Sequence, residues 1–164
     1  MRHTIAILLE NEAGALSRVA GLFSARGYNI ESLTVAPTDE LSVSRLTLVT
    51  TGNDEIVEQI TKQLNKLVDV IKLVELDSTE DIERELLLAR IKAGSAGQRS
   101  EVKRLVDIFR GRILDVYEGG YIVELTGRGS KIDAFLGALE TPQIDEVVRS
   151  GVTGIARGPK GLRA

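Results

Sequence analysis

Leu9-Glu10-Asn11-Glu12-Ala13-Gly14-Ala15-Leu16-Ser17-Arg18-Val19-Ala20-Gly21-Leu22-Phe23 is the stretch whose reading decides the fold. It begins at the end of an apolar run, residues 4–9, that suits a buried strand. It then crosses a polar turn and enters a segment with Leu16, Val19, Ala20 and Phe23 at i, i+3, i+4, i+7, the stripe of an amphipathic helix. Gly27 closes that helix, because glycine takes the left-handed conformation a C-terminal cap requires. Residues 30–36 and 43–51 read as strands separated by the turn Pro37-Thr38-Asp39. Asn53 or Asp54 caps a second helix with Ile56, Ile60, Leu64 and Leu67 on one face, and residues 68–76 supply a fourth strand. The order βαββαβ is that of a ferredoxin-like unit.

The same pattern recurs beyond it. Residues 86–93 form a strand, and Val102, Leu105, Val106 and Phe109 again sit at helical spacing. Gly111 caps that helix. Two strands follow, residues 112–117 and 121–126, joined by a hairpin at Gly119-Gly120. Ile132, Phe135, Leu136 and Leu139 mark another helix, with Ser130 as its N-cap, and residues 147–155 a last strand or two broken by Gly151. The chain therefore reads as α+β, two ferredoxin-like sandwiches of about eighty residues each, residues 1–78 and 79–164. Glu75, Asp77, Glu80, Asp81, Glu83 and Glu85, against the single base Arg84, read as a solvated linker and strand edge at the boundary.

Composition narrows the function classes. The 164 residues carry 21 Lys+Arg and 24 Asp+Glu, a net charge of -3, so no bulk attraction to phosphate backbones or anionic membranes is expected. With no cysteine there is no thiolate metal site and no Cys nucleophile. The lone His3 cannot build a multi-histidine metal site, reads as a surface residue, and no metal ligand is assigned. Gly127-Arg128-Gly129 reads as a flexible turn rather than a phosphate loop. No nucleophile elbow, Walker-type loop or acid–base pair stands out, so catalysis by this chain alone is not expected. The acid-free stretch with Arg149, Arg157, Lys160 and Arg163 lacks aromatic residues for base stacking and reads as a loosely ordered tail or one that docks on a partner. No apolar run approaches a membrane span or a signal peptide, which points to the cytoplasm.

One feature offers chemistry. Gly14 stands where the first helix begins, with no side chain to block an approaching group, and the free N–H groups there with the helix dipole suit a carboxylate. Asn11 lies at the end of the first strand, and Asn29 offers a second amide near the next strand. On spacing alone these are also the residues of any turn.

The stretch 9–19, with Phe23-Ser24-Ala25-Arg26-Gly27-Tyr28-Asn29-Ile30-Glu31-Ser32-Leu33-Thr34-Val35, closely resembles the small regulatory subunits of acetolactate synthase, also called acetohydroxyacid synthase. The resemblance continues through Lys62-Gln63-Leu64-Asn65-Lys66-Leu67-Val68-Asp69-Val70 and returns at Phe109-Arg110-Gly111, Leu125-Thr126-Gly127 and Arg149-Ser150-Gly151. It implies an N-terminal ACT domain that binds a branched-chain amino acid, usually valine, at a homodimer interface, followed by a C-terminal ferredoxin-like domain. It implies no cofactor in this chain, and a large catalytic partner carrying thiamine diphosphate, magnesium and FAD. The matching effector positions are Asn11, Gly14, Ala15, Leu16, Asn29 and Ile30. In that reading the N–H groups at 14–16 take the carboxylate, Asn11 and Asn29 orient the polar end, and Ile30 sizes the isopropyl group. The rival is a stand-alone amino-acid-sensing ACT regulator of another enzyme or of transcription, and the chain shows no basic recognition helix for the latter.

Overall fold

The structure is a computed structural model that describes residues 1–76 and 79–164. Its contacts form two compact units, Met1–Glu83 with Val152–Ala164, and Arg84–Gly151. The expected division after residue 78 falls at Ser78, outside the described residues.

The first unit holds β1 (Arg2–Glu10), α1 (Ala15–Ala25), β2 (Ser32–Pro37), β3 (Val43–Thr51), α2 (Asp54–Leu64) and β4 (Val70–Leu76). Its sheet runs β2-β3-β1-β4 with every neighbour antiparallel. This is the ferredoxin-like order, and the α+β reading holds. Asn53 caps α2 by accepting from the Ile56 N–H at 2.9 Å. Ile5, Ile7 and Leu9 of β1 and Leu46 and Leu48 of β3 meet Val19, Phe23, Ile60 and Leu64 in one core. The helix stripe is rotated from the expected one. Ala15, Val19 and Phe23 are buried, while Leu16 is 39% exposed and Ala20 lies outside the core. A single spacing rule locates the stripe to about one residue either side, and packing against the sheet chooses.

β1 is an almost continuous apolar run because both its faces are covered. Ala6, Leu8, Val43 and Val49 point away from the helices, yet all are buried. Their cover is Val152–Ala164, including β9 (Thr153–Ala156). Three side chains on this face donate to its carbonyls: Thr34 Oγ1 to Val152 O at 3.1 Å, Arg45 Nη2 to Gly154 O at 2.8 Å, and Lys72 Nζ to Arg163 O at 2.9 Å. Burial pushes the Arg45 guanidinium below its ordinary value. The segment read as a loosely ordered tail or one that docks on a partner thus belongs to the first unit.

The second unit takes β5 (Asp81–Lys92) from Arg84 onward, then α3 (Ala96–Ile108), β6 (Arg112–Tyr117), β7 (Gly120–Gly127), α4 (Gly129–Ala138), a 3₁₀ turn (Thr141–Gln143) and β8 (Ile144–Arg149). Its strand order, β6-β7-β5-β8, repeats that of the first unit. Leu87, Ala89, Ile91, Val123 and Leu125 pack against Val102, Leu105, Val106, Ile132 and Phe135. Ser95 and Gln98 form a reciprocal capping box at the start of α3.

Three expectations change here. The positive φ after α3 falls on Arg110, at 57°, and not on Gly111. Gly111 is instead small because a Cβ there would lie 2.8 Å from the Glu124 carbonyl of β7. Arg128, not Ser130, precedes α4, whose start has no side-chain cap. The acidic run is a solvated edge only in part: Glu75 and Glu80 are exposed, Asp77 lies outside the described residues, and Asp81, Glu83 and Glu85 are buried. They alternate along β5 on the face that continues through Leu87, Ala89 and Ile91. Arg149 compensates Glu85 through paired bonds of 2.8 and 2.9 Å and reaches Asp133 at 2.7 Å. These bonds raise the Arg149 guanidinium above its ordinary value. Arg2 reaches Glu83 at 3.2 Å in the first unit. Among the described residues, no helix is long and apolar enough to cross a membrane.

Candidate functional site

β1 delivers Glu10 to the edge of the sheet, and the turn after it is tied down at once. The Asn11 N–H donates to Ser42 O and its Nδ2 donates to Leu41 O, both at 2.8 Å. The Asn11 amide oxygen makes no hydrogen bond among the described residues. Gly14 has φ +88°, a conformation glycine adopts without the Cβ penalty, and it turns the chain into α1. No side chain caps this helix. The Ala15 N–H closes weakly on Glu12 O at 3.3 Å, so the open donors move one residue along, to Leu16 and Ser17. Ala15 itself is buried and lends backbone only.

Sequence reasoning missed Arg18 and Asp69. Arg18 reaches over the turn so closely that a Cβ on Gly14 would lie 2.8 Å from its Nη1. Its Nε and Nη2 donate to the two Asp69 carboxylate oxygens, the second at 2.9 Å. The hydrogen bond from Arg18 holds the Asp69 carboxyl below the usual carboxylate range, and Asp69 in turn raises Arg18. A cation four residues into a helix, opposite a buried acid just before a strand, is a signal visible only once the turn is folded. Carboxylate oxygens of Glu10, Glu12 and Asp69 lie within 4.8 Å of one another. Arg18 already supplies the countercharge to Asp69, one of the three. The helix end thus offers N–H donors and a guanidinium beside an acidic rim, a combination suited to the two charged groups of an amino acid.

Asn29 and Ile30 are not at this end. The Asn29 carbonyl accepts from Thr50 Oγ1 at 2.6 Å, whereas Asn11 is anchored to Ser42. Ser42 and Thr50 are separated by the length of β3, about 26 Å at about 3.3 Å per residue. A single amino acid cannot span that distance. Ile30 is half-buried and packs against the first core, and Asn29 is exposed. Within one chain the structure brings Asn11, Gly14, Ala15 and Leu16 together and leaves Asn29 and Ile30 as a second group at the opposite end of α1.

Residues 5–72 match the family model of the AHAS small subunit-like ACT domain, and residues 84–158 match that of the small subunit of acetolactate synthase. The acetolactate synthase isozyme 3 small subunit of Escherichia coli K12 is 54% identical over 164 residues, covering 99% of this chain and all of the relative. The acetolactate synthase small subunit of Haemophilus influenzae is 53% identical over 163 residues, with 99% of each covered. The crystal structure of the acetolactate synthase small subunit from Thermotoga maritima superposes with a TM-score of 0.89 at 37% identity, covering 98% of this chain and 99% of the other.

Proposed function

This chain belongs to the acetolactate synthase small-subunit family, and from that premise we propose that it is the non-catalytic regulatory partner of a large catalytic subunit. In this reading the partner carries thiamine diphosphate, magnesium and FAD and joins two 2-keto acids with loss of carbon dioxide. The present chain raises the partner's activity in the cytoplasm, and valine withdraws that support. The two effects form a coupling free energy between distinct sites.

The observation that carries the effector assignment is the uncapped start of α1, opened by Gly14 and overlain by Arg18. The N–H groups there and Arg18 receive the valine carboxylate, and the acidic rim of Glu10 and Glu12 faces the ammonium group. The separation of Asn29 and Ile30 from this end supports a homodimer whose site is shared. Asn11, Gly14, Ala15 and Leu16 come from one protomer, Asn29 and Ile30 from a second copy. The exposed flank of Leu16 and Ala20 on α1 supports the same arrangement, since an apolar helix side without a partner in its own unit suits a self-contact.

Acetolactate formation by the purified catalytic subunit, with and without this chain and across a valine titration, tests the reading. The chain alone should show no carboligation, and its addition should stimulate the partner severalfold. Gly14→Asp should keep the stimulation and weaken valine at least tenfold, about 1.4 kcal/mol. Its new carboxylate competes for the same donors. Aspartate tolerates a left-handed backbone better than most residues, and the Arg18 end can move aside. Gly14→Ala isolates the Cβ from the charge, and Asn29→Ala should cost less than Gly14→Asp. Unchanged valine affinity in folded Gly14→Asp protein would put the effector elsewhere.

A further inference from the structure

Asp69 is not among the groups proposed to contact valine, yet its carboxylate is buried beside the turn after β1, with 4% of the side chain exposed. An irregularity in the sheet puts it there. β4 pairs with β1 in one register as far as Leu8 opposite Lys72, then shifts so that Leu9 faces Val70. Unshifted, the ladder would set Val70 opposite Glu10. The shift brings Asp69 level with Glu10 instead, and the Glu10 N–H donates to the Asp69 carbonyl at 2.9 Å. Bulges of this kind re-aim side chains and are over-represented beside functional sites.

Both carboxylate oxygens of Asp69 are taken by Arg18. Oδ2 accepts from Nε, and Oδ1 accepts from Nη2 at 2.9 Å. A guanidinium is planar and rigid, so two bonds to one carboxylate fix the orientation of the whole group. The third nitrogen, Nη1, makes no hydrogen bond among the described residues. It is also the atom that would lie 2.8 Å from a Cβ on Gly14. The Arg18 side chain is half-exposed, so a ligand can reach it. Without Asp69, a cation this close to a helix start would oppose the macrodipole, and its long side chain would move freely. Asp69 offsets the first effect and removes the second.

We infer that Asp69 is a positioning residue for the effector: it holds the Arg18 guanidinium so that Nη1 stands over Gly14, where an amino-acid carboxylate meets the helix N–H groups. The inference rests on the effector assignment made above. Asp69 makes no bond to the ligand and acts through Arg18 alone. The arrangement favours a free carboxylate over its amide, whose NH2 end would meet these donors without an acceptor to offer.

Valine calorimetry on the full chain tests this, with urea denaturation reporting that each variant is folded. Asp69→Asn keeps the shape of the side chain but loses the paired bonds, and valine should bind severalfold more weakly. Arg18→Gln should weaken it at least as much. The double variant should bind valine as Arg18→Gln does, because Asp69 has no route to the ligand once the guanidinium is gone. A general disturbance of the turn would add a further loss. Arg18→Lys keeps the charge, but its ammonium cannot both pair with Asp69 and reach over Gly14. It should weaken valine severalfold, and it decides the matter should Asp69→Asn fail to fold. Glu75→Gln is the control at the far end of β1. It removes the carboxylate 2.5 Å from Nδ1 of His3, whose side chain is only 10% exposed and not on the surface as expected. Valine affinity should not change there. Wild-type affinity in folded Asp69→Asn or in Arg18→Lys overturns the inference. So does a double variant weaker than Arg18→Gln by the full Asp69→Asn factor, or an equal loss in Glu75→Gln. Gly14→Asp separates the two readings. If it weakens valine while Asp69→Asn does not, the positioning role alone has failed; if neither does, the effector assignment has failed and takes this inference with it.

Discussion

In the first unit Ala6, Leu8, Val43 and Val49 face away from the helices and are nonetheless buried. In the second unit Leu86 and Val148 face away from the helices and are 38% and 51% exposed. The strand order is the same, so topology does not account for the difference. The first sheet has a layer on each side, α1 with α2 and Val152–Ala164, while the second is covered by α3 and α4 on one side. The central strands are written accordingly. β1 is buried at every position from Thr4 to Leu9, whereas burial alternates along β5, with Arg84, Leu86 and Lys92 exposed and Leu87, Ala89 and Ile91 buried. A strand composed for two-sided burial needs a second cover, and a ferredoxin-like repeat alone does not provide one.

The largest expected effect breaks this comparison directly. Ending the chain after Gly151 should expose Leu8, Val43 and Val49 and release the buried Val152, at a cost on the order of 3–5 kcal/mol. Urea denaturation should show the loss, and binding of an apolar dye should rise. An unchanged midpoint with no dye binding would mean the first sheet does not depend on its second cover.

A smaller effect tests how the second unit buries charge where the first buries methyl groups. Arg149→Met leaves Glu85 buried without its guanidinium. Removing one partner of a fully buried pair costs about 3–5 kcal/mol, and Arg149 is a third exposed, so about 2–3 kcal/mol is expected. Adding Glu85→Leu should restore most of that in the same urea experiment. Failure of the second change to rescue the first would show that the pair matters for geometry more than for charge.

The smallest effect sharpens the contrast. Val148→Ser on the open face should change stability by no more than about 0.5 kcal/mol. Leu8→Ser, on the covered face of the other sheet, should exceed that several times over in the same assay. A large loss at Val148 would mean that this face is sealed in solution.

Both ferredoxin-like repeats were legible because their signals are local: the apolar runs of the central strands, the stripes at 19, 23, 60, 64, 102, 105 and 106, and the caps at Asn53 and Gly27. The turn after β1 was legible for the same reason, since Asn11, Gly14 and Leu16 are neighbours in the chain. What local pattern could not carry was pairing over distance. Thr34 meets Val152 across 118 residues and Arg45 meets Gly154 across 109, and no periodicity records either. Arg18 with Asp69 and Glu85 with Arg149 were hidden likewise, each half looking like solvated charge. The burial of Asp81, Glu83 and Glu85 did have a signal, the two-residue period they share with Leu87 and Ala89, which the density of charge obscured.

The return of Val152–Ala164 to the first unit also sets an order of events during synthesis. The second unit is, topologically, an insertion between the sheet of the first and that sheet's own cover. At about 5–20 residues per second, the 76 residues from Leu76, where β4 ends, to Val152 take roughly 4–15 s to make. For that interval the nascent sheet has its helices but an open apolar back. The full second unit is made before the strip that closes the first. A growing chain with such an exposed face is a natural client for a holdase, and its maturation is paced by elongation rather than by the intrinsic speed of a ferredoxin-like fold.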